Sequence, residues 1–158
     1  MPVDAMLPDL HDAIRAGRMV AFAQGFAVIA TASHVYDWSI DLSSMANGWT
    51  SGCIIRGAIL DDIVAAFKRQ PQLSNLLHDA EFAQIIDENE LGLRSTVVRA
   101  TAQALPVPLL ASALAWRDAF AVGRLWTDLV QGQRDYFGAH GFERIDHPGT
   151  YRHRWHTP

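Results

Sequence analysis

Ile55, Ile59, Ile63 and Phe67 stand four residues apart, with Asp61, Asp62, Lys68 and Arg69 on the other faces, and this spacing recurs along most of the chain. Apolar residues at intervals of three and four gather on one side of an α-helix. A first long helix is expected from Asp9 to about Tyr36, along Leu10, Ala13, Ile14, Ala21, Phe22, Phe26 and Ile29. Asp41 or Ser43 can cap a short helix that runs to Asn47-Gly48, and the Ile55 helix follows Gly52 and stops at Pro71. Asn75 to His78 reads as a helical turn. Phe82, Ile85, Ile86, Leu93, Val97 and Ala100 mark a long helix ended before Pro106, a sixth element opens at Pro108 and runs to Gly123, and a seventh spans about Trp126 to Phe137. No period-2 alternation longer than a few residues interrupts this pattern. The expected fold is all-α, a multi-helix array with short loops over residues 1–138. An irregular tail, 139–158, is rich in Gly, His and Arg, with Pro148-Gly149 as a turn.

Gly17 and Gly25 lie inside the strongest helical pattern, where each costs about 1 kcal/mol relative to alanine. A second backbone is therefore expected to pack close at both. The most apolar run, Met19 to Ala32, is 14 residues long and holds Gln24, Gly25 and Thr31, short of the roughly 20 apolar residues of a spanning helix. It reads as a buried core helix, with no membrane partner. Met1 to Asp12 carries three Asp and no basic run, unlike a signal peptide. Cys53 is the only cysteine, which excludes an intramolecular disulfide and fits a reducing, cytoplasmic setting.

A net charge of −4 is wrong for a nucleic-acid partner, whose phosphates require a basic surface. The charge is uneven. Residues 1–131 carry nine basic against fourteen acidic side chains, whereas residues 132–158 carry four Arg against three acids and four of the seven His. An anion would meet the basic end.

Several chemistries are missing from the chain. No two glycines lie two positions apart, so the glycine fingerprint of dinucleotide binding does not occur, and neither does a phosphate-binding P-loop. There is no H-E-x-x-H, C-x-x-C or G-x-S-x-G. Lys68, the only lysine, sits at a helix end, where it complements the dipole in solvent. Cys53 is placed in the first helical turn after Gly52, and its two following isoleucines mark it as a buried, inert thiol. Arg56, in the same apolar run, is expected to be an interior or interface arginine paired to an acid. Trp38, Trp49, Trp116 and Trp126 fall on or near helices and are assigned to the core. His147, His153 and His156 lack a thiolate or ligand spacing beside them, so no metal site is expected.

The segment Gln133-Arg134-Asp135-Tyr136-Phe137-Gly138-Ala139-His140 brings a guanidinium, two aromatics, a glycine and an imidazole together. Arginine suits bidentate capture of a phosphate or carboxylate. A helix ending at Gly138 would hold Arg134 on its last turn and leave His140 free to turn back toward the same anion. A capped helix end with a surface arginine accounts for the same residues.

This octapeptide resembles the signature near the C-terminus of 6-phosphogluconate dehydrogenases. Gly52-Cys53-Ile54-Ile55-Arg56, Ala23-Gln24-Gly25-Phe26, Asn75-Leu76-Leu77, Pro106-Val107-Pro108 and Phe142 to Asp146 resemble further motifs of that family, in the same order. Tyr151-Arg152-His153-Arg154-Trp155 departs from the family's F-H-T-x-W tail. The resemblance runs from about Leu7 to the end and covers only the last third of such an enzyme, the second half of its helical domain and the tail. It implies a part in the NADP-dependent oxidation and decarboxylation of 6-phosphogluconate to ribulose 5-phosphate, in the pentose phosphate pathway. The NADP-binding domain and the catalytic lysine and glutamate have no counterpart here, so the chain by itself is expected to bind no cofactor and to hold no catalytic residue. What the resemblance carries over is Arg134, which would bind the substrate phosphate, and His140, which would contact the substrate, both reaching into a partner subunit's site across a homodimer. The rival expectation is a free-standing helical dimerisation or anion-binding module derived from the same enzyme.

Overall fold

The computed structural model describes residues 6–155, so the candidate ligand His156 lies outside the described residues. Six α-helices follow one another: α1 Leu7–Val35, α2 Leu42–Trp49, α3 Ala58–Arg69, α4 Ala80–Ala102, α5 Pro108–Phe120 and α6 Thr127–Gly138. A 3-10 turn at Leu76–His78 precedes α4, and two short strands, β1 Phe142–Glu143 and β2 Thr150–Tyr151, follow α6. The all-α class and the helix order agree with the apolar spacing. The chain forms two compact units that part between Arg117 and Asp118, so α6 groups with the closing segment.

In the first unit, α1 and α4 run against each other and supply nearly half of the buried apolar side chains, with α3 giving the next largest share. Ala13, Ala16, Met19, Val20, Ala23 and Phe26 of α1 are buried, against Phe82, Ile86 and Leu93 of α4. Gly92 is what lets the two helices approach. A methyl group there would lie 2.5 Å from Asp12 Cβ and 2.9 Å from the Asp9 carbonyl oxygen, and a backbone atom cannot swing away. Across the same seam Arg99 pairs with Asp9 at 2.8 Å and the Thr96 hydroxyl donates to the Asp9 carbonyl at 3.2 Å.

Local capping follows the sequence. The Asp41 carboxylate accepts from the backbone N–H groups of Ser43 and Ser44 at the start of α2. Asp79 does the same for Glu81 and Phe82 at the start of α4. Buried Asp79 also receives Arg69 at 2.9 Å, which ties the end of α3 to the start of α4. Such side-chain caps satisfy N–H groups that a helix start otherwise leaves unbonded.

Three expectations change here. α3 begins at Ala58, so Ile55 lies outside it, and Cys53 sits in an irregular turn with a partly exposed side chain. The Trp assignments divide: Trp49 and Trp116 pack on the core, whereas Trp38 and Trp126 are exposed because each stands in a turn beside a helix end. The two glycines of α1 also differ. At Gly17 the close neighbour is a side chain, Leu110, 2.8 Å from an added Cβ, while at Gly25 nothing lies within 4 Å. Gly25→Ala should therefore stabilise the chain by about 1 kcal/mol, roughly 3 °C in the melting midpoint. A thermal melt followed by circular dichroism checks this.

α1 is long and apolar enough, by length and composition, to cross a membrane. Its buried face is accounted for by the protein core, as for the central helix of a packed domain.

Candidate functional site

The second unit is built around α6 and the strand pair. Arg124 and Asp128 pair across the first turn of α6, with Arg124 Nε 3.1 Å from Asp128 Oδ2. The helix ends when Ala139 turns left-handed, at φ 48°, and donates its N–H to the Asp135 carbonyl. Gly138 was expected to be the stopping residue. Its role is different: a side chain there would place Cβ 2.5 Å from His140 Nε2. The bare glycine is the floor on which the His140 ring rests, with the Phe137 ring edge-on at 5.6 Å.

Arg134 lies further from the helix end than expected, since no basic residue occupies the last turn. Its guanidinium is exposed and donates to the Gln131 amide oxygen at 3.3 Å. Among the described residues no acid holds it: Asp128 is taken by Arg124, and the neighbouring Asp135 points inward. Arg134 and His140 thus both stand exposed, one on α6 and the other just past its end.

The residue that sequence reasoning passed over is Asp135. It is 2% exposed and accepts three hydrogen bonds, all from N–H groups. Oδ1 takes the Gly141 backbone N–H at 3.1 Å. Oδ2 takes the His153 backbone N–H and the Trp155 indole N–H, each at 2.8 Å. The Trp155 ring then meets Tyr136 at 5.6 Å and His153 at 4.7 Å. A signal was present, because an acid in the last turn of a helix opposes the dipole and needs donors to offset it, although nothing in the sequence says which.

The segment expected to be irregular closes as a hairpin, with Phe142 opposite Tyr151 and Glu143 opposite Thr150. Gly141 has φ +77°, and a Cβ there would lie 2.6 Å from Thr150 Cγ2. Arg144 pairs with Asp146, with Nε 2.7 Å from Oδ1, and covers the Tyr151 ring at 5.3 Å. His153 is engaged through its backbone and ring with Asp135 and Trp155. Among the described residues no three His, Cys, Asp or Glu side chains converge as a metal site.

The Asp135 carboxyl is held below the ordinary carboxylate range, first by the His153 N–H and then by the Trp155 and Gly141 donors, against the opposing effect of burial. These contacts are at full strength at neutral pH. They should weaken only as the pH falls below the unfolded Asp value of about 3.9, through the lower folded value. The Trp155 indole N–H resonance, followed from pH 7 to pH 2, should hold its position down to about pH 4 and then move toward that of free indole.

In the first unit an open hollow of about 610 Å³ runs along α1, lined by Arg18, Phe22, Gly25, Ile29, Trp49 and the loop Ile54 to Arg56. Arg56 is exposed there, against the interior reading, with no acid paired to it among the described residues, and Ile54 is 99% exposed. Lys68 is exposed at the end of α3.

The family model for the 6-phosphogluconate dehydrogenase C-terminal domain matches residues 2–155. A 6-phosphogluconate dehydrogenase, decarboxylating 1, of Oryza sativa subsp. japonica is 40% identical over 157 residues, 98% of this chain and 33% of that protein. The NADP(+)-dependent, decarboxylating 6-phosphogluconate dehydrogenase of Bacillus subtilis is 39% identical over 158 residues, 98% of this chain and 34% of its own length. The solved 6-phosphogluconate dehydrogenase of Plasmodium falciparum superposes with a TM-score of 0.94 at 33% identity, over 98% of this chain and 33% of that one. The chain therefore spans about a third of the length of the relatives it matches.

Proposed function

Because the chain belongs to the 6-phosphogluconate dehydrogenase C-terminal domain family, we propose that it serves as that domain of a decarboxylating 6-phosphogluconate dehydrogenase. In this role it holds the substrate phosphate and does no chemistry of its own. The oxidation by NADP and the loss of CO2 to ribulose 5-phosphate, a step of the pentose phosphate pathway in the cytoplasm, belong to the parts that bind cofactor and carry the lysine and glutamate. Arg134 supplies the charged fork for the phosphate and His140 a second contact, both offered to a partner subunit. The observation that carries this reading is an exposed Arg134 that no acid holds among the described residues, on the helix at whose end His140 folds back onto Gly138.

The domain acts as part of a homodimer, its helical body being 1–138 and its tail 139–158. Exposed apolar residues support a covering partner: Ile54 in the first unit, and Trp126, Leu129 and Phe137 in the second. Large contiguous apolar surface is uncommon on monomers.

The test joins this chain, as the last third, to the first two thirds of the Bacillus subtilis relative. The joined protein should form NADPH from 6-phosphogluconate and NADP, and the 158-residue chain alone should form none. A joined protein that is folded and dimeric yet inactive would contradict the proposal.

A further inference from the structure

Three features of the corner have rotatable side chains or a long lever: the Arg134 guanidinium, the His140 imidazole and the tail from Arg152 to Arg154. A fixed arrangement needs an anchor, and among the described residues the one buried charge of the second unit is Asp135, next to Arg134 in the chain and hydrogen-bonded to the residue after His140. We infer that Asp135 is the positioning residue for His140 within the Arg134 and His140 pair, a carboxylate that fixes the His140 peptide through one oxygen and the tail through the other. The inference rests on the phosphate-binding reading of that pair.

The geometry is specific. Asp135 follows Arg134 on α6, and its Oδ1 receives the N–H of Gly141, the residue directly after His140. The bond therefore fixes the peptide on the far side of His140, while left-handed Ala139 fixes the near side. Between these two anchors the imidazole is set down on Gly138 and against Phe137. Through Oδ2 the same carboxylate grips the His153 backbone and the Trp155 indole, so the returning tail is fastened by the group that sets His140.

All three partners are donors, and only an ionised carboxylate offers acceptors at both oxygens. This makes two substitutions informative. Asp135→Asn keeps the shape but turns an NH2 group toward N–H groups on one side. Asp135→Glu keeps the charge and both acceptors but moves them outward by one methylene. A role in positioning is damaged by both, whereas a role as mere negative charge is rescued by Glu.

The experiment uses the 158-residue chain and amide and side-chain NMR. Gly138→Ala serves as the reference, since it pushes the His140 ring away without touching Asp135. In both Asp135 variants the Gly141 and His153 amides and the Trp155 indole should lose hydrogen-exchange protection by about tenfold or more. The His140 ring protons should move toward their positions in Gly138→Ala, and the melting midpoint of the helical core should stay within a few degrees of the parent. Unchanged His140 ring shifts in Asp135→Asn would overturn the inference, as would full rescue by Asp135→Glu or a collapse of the core in both variants. Titration of the parent chain with inorganic phosphate separates the underlying reading. A shift of the Arg134 Nε–H and His140 signals that Asp135→Asn abolishes supports both. No shift in the parent counts against the phosphate site, and the inference is then decided by the ring shifts alone.

Discussion

Phe26→Ala is expected to cost about 4 kcal/mol, the typical penalty for emptying a phenylalanine site in a packed core. Phe26 is 2% exposed at the middle of α1. Its ring lies 5.2 Å from that of Phe67 on α3 and 5.4 Å from that of Trp49 on α2, with Phe22 at 6.5 Å on its own helix. One side chain therefore joins three helices, and two of them, α2 and α3, are short elements whose apolar faces need this contact. Backbone cannot collapse into the space, because the neighbours are rings fixed on separate helices. A domain of this size is stable by roughly 5–15 kcal/mol, so the loss removes a large fraction of the total. Urea unfolding should show a midpoint lowered in proportion, with an unchanged slope. A loss below about 1 kcal/mol would mean that the three helices are held by other contacts.

The second large effect falls on ligand capture. In the joined enzyme, Arg134→Ala should raise KM for 6-phosphogluconate by about one to two orders of magnitude, since a hydrogen bond to a charged group is worth about 1.5–3 kcal/mol. Among the described residues the guanidinium has no acid to leave unpaired, so its removal should not disturb folding. Arg134→Lys should recover only part of the loss, because an ammonium keeps the charge without the planar fork. His140→Ala should be milder, the loss of one neutral contact. Steady-state kinetics with the four proteins decides the order. An unchanged KM in Arg134→Ala would assign the arginine to helix-end solvation with Gln131.

The helices were legible because their signal is local and periodic. Asp41, Asn75 and Asp79 cap where the pattern begins, and Pro71 and Pro106 follow where it stops. The errors share one cause. Ile55 continues the four-residue spacing of Ile59 and Ile63, yet it faces a hollow outside the helix, and spacing cannot tell a side chain that meets its own core from one turned to open surface. Gly25 misled in the same way, whereas Gly92, the glycine that does admit a neighbouring backbone, lies in a more polar helix than α1 and drew no notice. The two-residue strands are too short to show alternation.

At the candidate site, Arg134 and His140 were found through the resemblance of the octapeptide, with the physics of the residues leaving a surface arginine equally open. Asp135 was in full view between them. Its partners stand 6, 18 and 20 residues away, and no local rule connects positions so far apart.

The central claim, that Arg134 and its neighbour meet the phosphate of the substrate, is tested most directly by comparing a phosphorylated with an unphosphorylated substrate. In the joined enzyme, kcat/KM would be measured for 6-phosphogluconate and for gluconate, with and without Arg134→Ala. The account predicts that the substitution lowers the value for 6-phosphogluconate by about 10- to 150-fold, the equivalent of 1.5–3 kcal/mol, and leaves that for gluconate nearly unchanged. An equal loss on both substrates would contradict it, since the arginine would then be acting on something other than the phosphate.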